Sequence, residues 1–122
     1  MAYTYDPTNI FARILRGEIP NKTVKETSRS LAFHDIRPLA PVHVLVIPKG
    51  PYVNFDHFAD QASPEEILDF HRTAAWVCRM LDIAPGLGYR AITNAGEHGM
   101  QEVPHYHLHI LGGKVMGRMI GG

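Results

Sequence analysis

Apolar residues recur along this chain with two different periods. In Ile10–Arg16 they fall at Ile10, Phe11, Ile14 and Leu15, which is one face of a short helix. Thr8 or Asn9 stands where a helix cap belongs, and Gly17 ends the segment. Residues 1–9 read as a lead-in, and Ile19-Pro20 breaks the chain. The period then falls to two. Lys22–Glu26 and Ser30–Ile36 predict a hairpin turned at Thr27-Ser28-Arg29. Leu31, Phe33 and Asp35 share one face of its second strand, and Ala32, His34 and Ile36 share the other. Two prolines in Arg37–Pro41 forbid helix there. His43–Lys49 is strongly apolar and predicts a central strand, with His43, Leu45 and Ile47 on one side.

Gly50–Ala62 reads as irregular, with a single helical turn around Phe55–Ala59. Ser63-Pro64-Glu65-Glu66 is a capping box with proline at the first helical position and acids at the positive end of the dipole. The helix it opens carries an apolar stripe of Ile67, Phe70, Ala74, Val77, Cys78 and Leu81, and stops before Pro85-Gly86. Trp76 lies off the centre of that stripe, which suits the helix edge or a contact with another subunit. Gly88–Asn94 predicts a fourth strand, Ala95–Val103 a glycine-containing loop, and Pro104–Gly113 a fifth strand stopped by Gly112-Gly113. The tail, residues 114–122, has no clear structure. The expected fold class is α+β: a five-stranded, mostly antiparallel sheet with one short N-terminal helix and one long helix. It forms one domain over residues 1–122, with its core at 9–113.

Composition removes several functional classes. Twelve basic residues balance twelve acidic ones, and no basic run occurs, so nothing points to nucleic acid or a membrane surface. No apolar stretch approaches the roughly 18 residues of a membrane span, and the N-terminus lacks the basic-then-apolar pattern of a secretory leader. The single cysteine, Cys78, permits neither an internal disulfide nor a cysteine-based zinc site, and favours a cytoplasmic setting. Eight histidines are the one anomaly.

Three of those eight, His105, His107 and His109, stand at spacing two. On a strand all three imidazoles project from one face, while Tyr106, Leu108 and Ile110 pack on the other. Three uses are open. They could be partly exposed histidines with no joint role. They could hold a metal ion, since histidine is a common zinc ligand. They could form a phosphate site in which one imidazole is the nucleophile and its neighbours carry protons and stabilise anionic oxygens.

Several blocks together bear on the choice: NIFARILRGEIP, LAFHDIRPLAPVHVLVIPK, the Asn94-Ala95-Gly96 turn and His105-Tyr106-His107-Leu108-His109-Ile110-Leu111 followed by Gly112-Gly113. In this order the chain resembles the histidine triad (HIT) superfamily, and within it the Hint branch of nucleoside phosphoramidate hydrolases, from about Asn9 to Gly113. The resemblance implies a homodimer that hydrolyses a purine nucleoside 5′-phosphoramidate to the mononucleotide and an amine, with no metal or other cofactor. It implies His107 as nucleophile, His105 and His109 beside the phosphate, and His43 completing the set. It assigns Phe11, Ile14, Ile19, Phe33, His34 and Ile36 to the base pocket and Asp35 to the ribose hydroxyls. Asn94 and the backbone of Gln101, Glu102 and Val103 would face the α-phosphate. The chain departs from the branch in two places. Glu102 stands where a serine is common, and the tail has no tryptophan. The alternatives are a metal-binding protein or metalloenzyme built on the triad, and a nucleotide-binding regulatory module.

Overall fold

The computed structural model describes residues 2–121. Asn9 caps the first helix, α1 (Ile10–Leu15), by accepting the Ala12 N–H at 2.9 Å. Three strands follow, β1 (Thr23–Glu26), β2 (Ser30–His34) and β3 (Val42–Pro48), then helices α2 (Phe55–Gln61) and α3 (Pro64–Met80), then β4 (Tyr89–Ile92) and β5 (Leu108–Gly112). The strands form one antiparallel sheet in the order β1-β2-β3-β5-β4.

Strand alternation sorts the sheet's side chains into two apolar layers. Ala32, Val44, Val46 and Ile110 face α3 and pack with Phe70, Ala74, Val77 and Cys78. Leu31, Phe33, Leu45 and Ile47 point the other way and are covered by Phe11 and Ile14 of α1. The long helix begins with the expected capping box. Ser63 Oγ accepts the Glu66 N–H, and Glu66 Oε1 accepts the Ser63 N–H. Beneath the histidine segment three aromatic rings pack mutually, with centroids of Phe58, Phe70 and Tyr106 5.0–5.1 Å apart. Tyr106 stands between His105 and His107 in sequence, so this cluster anchors that segment to the core.

Five expectations need correction or extension. The segment after β3 holds a complete helix, α2, capped by Asn54, whose side chain accepts the His57 N–H. A seven-residue helix with one buried residue leaves little periodicity to read. Second, the fifth strand starts at Leu108 rather than Pro104. Its pairing with β3 ends at Val46↔Leu108. Before that point the Tyr106 N–H donates to the Tyr52 carbonyl and the His107 carbonyl accepts the Thr93 hydroxyl, so these groups are lost to a strand ladder. Third, the lead-in makes specific contacts at two tyrosines: the Tyr3 hydroxyl donates to Asp56 on α2, and the Tyr5 hydroxyl meets His105. Fourth, Trp76 takes up the expected place at the helix edge, partly buried against the main core, with Lys25 Nζ 4.5 Å from its ring centroid. Fifth, the tail is tied to β4, because the Arg90 guanidinium donates to the Gly117 and Arg118 carbonyls.

Phe70 is fully buried at the centre of the aromatic cluster. Phe70→Ala is expected to destabilise the fold by about 3–5 kcal/mol, the usual cost of emptying a buried phenyl site. Urea denaturation measures it, and a loss below about 1 kcal/mol would contradict this packing account.

Candidate active site

The site lies on the α1 side of the sheet, where period-two alternation brings His43 and Leu45 of β3 beside His109 and Leu111 of β5. A cleft of about 580 Å³ opens there. Its apolar lining comes from Phe11, Ile14, Ile19, Phe33, Ile36, Leu45 and Val103, and its polar lining includes Asp35, His43, Asn94, Glu102, His107 and His109. Phe11 packs edge-on against both Phe33, at 5.7 Å between centroids, and His107, at 4.9 Å. Helix α1 therefore braces the histidines as well as walling the cleft.

The hydrogen bonds determine where each ring proton sits. His107 Nδ1 lies 2.8 Å from the His105 carbonyl, which can only accept. The proton is therefore on Nδ1, and the lone pair of a neutral His107 ring is on Nε2. The Leu39 N–H donates to His43 Nδ1 at 3.0 Å, so the His43 proton is on Nε2. That Nε2–H donates to His109 Nδ1 at 3.0 Å, which leaves His109 with its own hydrogen on Nε2. Asp35 Oδ2 is 3.5 Å from His43 Nε2, and Asp35 Oδ1 accepts the Arg37 N–H.

Burial keeps the set neutral. It lowers the pKa of His109 to about 4, helped by the neighbouring His107 and His43 and opposed by Asp35. It also lowers His107, against the pull of the His105 carbonyl and the charges of Asp35 and Glu102. His43 is lowered by burial too, with Asp35 opposing. A neutral imidazole with a free nitrogen lone pair is a competent nucleophile at neutral pH and needs no base to activate it.

Three of the expected site residues lie elsewhere. His105 does not line the cleft. It is fully buried, with Nε2 2.8 Å from the Pro48 carbonyl and Nδ1 2.6 Å from the Tyr5 hydroxyl. It lies ahead of the strand, so the spacing-two argument that aimed it at the cleft does not apply. His34 is exposed and absent from the lining, because alternation in β2 turns it away from Phe33. Gln101 is also absent from the lining, and its side chain fastens the loop: its Nε2 donates to the Val53 and Val103 carbonyls, and its Oε1 accepts the Gly96 N–H. Leu45, Arg37 and Met100 line the cleft without having been singled out beforehand. Leu45 was legible, since it shares the strand face of His43. Nothing local in the sequence points to Met100.

The triad does not assemble as a metal chelate, because both nitrogens of His105 and Nδ1 of His107 are already engaged. Asp35, His43 and His109 do bring ligand-type atoms within 4.8 Å of one another. This second set also fits a cation poorly. His43 Nε2 carries the ring proton for as long as Nδ1 accepts the Leu39 N–H, and that Nε2 would have to be the ligand atom.

The buried His105 has its pKa lowered to about 4, chiefly by burial and secondarily by His107, with the Pro48 carbonyl opposing. An unfolded histidine titrates near ~6.5. Between those values the unfolded chain binds the proton and the folded chain does not. Stability is therefore insensitive to this group above about pH 6.5 and falls as pH drops toward 4, by at most about 1.4 kcal/mol per pH unit. Urea denaturation at stepped pH measures the slope. In an NMR titration the His105 ring signals are expected to stay put from pH 8 to 5; a midpoint near the ordinary histidine value would refute the buried neutral ring.

Residues 16–116 match the HIT domain family model. A HIT-like protein of Azospirillum brasilense is 54% identical over 120 residues, covering 98% of both chains. A HIT family hydrolase from Clostridium thermocellum superposes with a TM-score of 0.84 at 40% identity, covering 93% of this chain and 96% of that one. A histidine triad nucleotide-binding protein from Candida albicans gives a TM-score of 0.76 at 26% identity, covering 93% and 87%. With the fold, the histidine segment and these matches in agreement, the chain belongs to the HIT family.

Proposed function

We propose that this protein is a Hint-type hydrolase of purine nucleoside 5′-phosphoramidates, acting through a nucleotidyl-His107 intermediate. The observation that carries the reading is the Nδ1–H bond from His107 to the His105 carbonyl, which leaves the Nε2 lone pair free. The cleft supports it as well. It offers an apolar lining for a planar base, a carboxylate at Asp35 for ribose hydroxyls, and ring N–H and side-chain amide donors at His109 and Asn94 for phosphoryl oxygens. The HIT hydrolase and nucleotide-binding relatives support hydrolysis and a nucleotide ligand respectively.

In this reading His107 Nε2 attacks phosphorus and the P–N bond to the amine breaks, its electron pair leaving with the nitrogen, which takes a proton from solvent water as it departs. Water then attacks the same phosphorus and opens the new N–P bond, returning the proton and releasing the mononucleotide. Donors fixed around the phosphoryl oxygens stabilise the charge that spreads over them in each step. The reading includes a homodimer and a cytoplasmic setting. No helix among the described residues is long and apolar enough to cross a membrane.

Two measurements test the proposal. With a fluorogenic adenosine 5′-phosphoramidate, turnover is expected to resist chelators and to fall at least roughly 1,000-fold in His107→Ala, as when a covalent nucleophile is removed. Adenosine monophosphate should still bind that variant. Retained turnover in His107→Ala would refute the nucleophile, and activity that chelator removes and metal restores would favour a metalloenzyme. Asp35→Ala is expected to weaken adenosine monophosphate binding by roughly tenfold through the lost ribose contacts. Calorimetry measures this, and unchanged affinity would remove Asp35 from the ribose site.

A further inference from the structure

The Tyr5 hydroxyl lies 2.6 Å from His105 Nδ1, a hundred residues away in sequence. His105 Nε2 faces the Pro48 carbonyl at 2.8 Å, and a carbonyl can only accept, so the ring hydrogen is on Nε2. The ring is buried and neutral, so its Nδ1 is an acceptor that requires a donor. Tyr5 is that donor. Its ring meets the His105 ring edge-on, with centroids 5.6 Å apart. The main-chain carbonyl of His105 in turn accepts the Nδ1–H of His107.

The segment carrying Tyr5 is itself built into the site. Asp6 Oδ1 accepts both the N–H and the hydroxyl of Thr8, and Asn9 Nδ2 donates to the Asp6 carbonyl. This turn leads straight into α1, whose Phe11 packs on the rings of His105 and His107. One short stretch of chain thus holds the histidine segment from two directions.

We propose that Tyr5 is a positioning residue for the reaction: by donating to His105 Nδ1 it locks the residue whose carbonyl fixes the tautomer of His107. Tyr5 touches neither the cleft nor a reacting atom and acts only through His105. The inference rests on the phosphoramidate-hydrolase reading for its kinetic consequence, but its structural consequence is independent of that reading.

The test is Tyr5→Phe, which keeps the ring's packing and removes only the donor. Tyr3→Phe is the control, since Tyr3 lies in the same segment but bonds Asp56 on α2. In Tyr5→Phe, kcat on the fluorogenic phosphoramidate is expected to fall roughly tenfold, the order of effect of one lost buried hydrogen bond, with KM unchanged. Tyr3→Phe should match wild type. Long-range 1H–15N spectra of histidine-labelled protein supply the second readout. Wild type should show His107 protonated at Nδ1 and bare at Nε2, and Tyr5→Phe a mixture of both His107 tautomers. Unchanged kcat together with an unchanged His107 spectrum would overturn the proposal. If wild type does not hydrolyse the substrate, the functional reading fails and the spectra alone decide: a mixed His107 tautomer supports the role of Tyr5, and an unchanged one refutes it.

Discussion

The geometry of the site depends most on one hydrogen bond, from His107 Nδ1–H to the carbonyl of His105, two residues earlier in the chain. A strand cannot make it. It requires the backbone at 105–107 to leave the ladder. The protein achieves this by pairing Tyr106 N–H with Tyr52 and the His107 carbonyl with Thr93. The ring of Tyr106, sunk into Phe58 and Phe70, supplies the apolar burial that fixes the bend. Packing on one side of the sheet thereby determines proton placement on the other. An imidazole free to exchange tautomers would have its lone pair on Nε2 only part of the time. This bond holds it there.

The remaining parts follow from alternation and burial. Strand parity in β3 and β5 puts His43 and His109 on the α1 face and Val44 and Ile110 in the core. The Leu39 N–H then orders the protons of His43 and His109 in sequence. Helix α1 contributes little length but much contact, since Phe11 touches Phe33, His105 and His107. Desolvation keeps the imidazoles uncharged, which preserves the free ring lone pairs and avoids repulsion among clustered cations.

The sheet, the long helix and the cleft face were legible because each rests on a periodic signal. The capping box at Ser63 and the alternation through Leu31, Phe33, Leu45 and Ile47 are local and strong. What escaped was non-local. His105, His107 and His109 look equivalent at spacing two, yet only His109 lies on the strand, and His105 turns inward to Pro48 and Tyr5. No pattern of three residues reveals where a ladder stops, because that depends on competing partners such as Tyr52 and Thr93. Helix α2 was legible only as one turn at Phe55–Ala59, for a different reason: one buried side chain in seven residues is too weak a stripe to give its full length. Gln101 was near the correct loop but serves to close it, a role that depends on Val53, which lies far away in sequence.

The most direct test of the central claim is rapid-quench trapping of the intermediate on wild-type protein. Substrate is mixed with enzyme, the reaction is stopped in base, and the digest is read by mass spectrometry. The account predicts one nucleotidyl group, acid-labile and base-stable, on the peptide carrying His107 and on that residue. Burst-phase product with no adduct, or an adduct on His105 or His109, would contradict it.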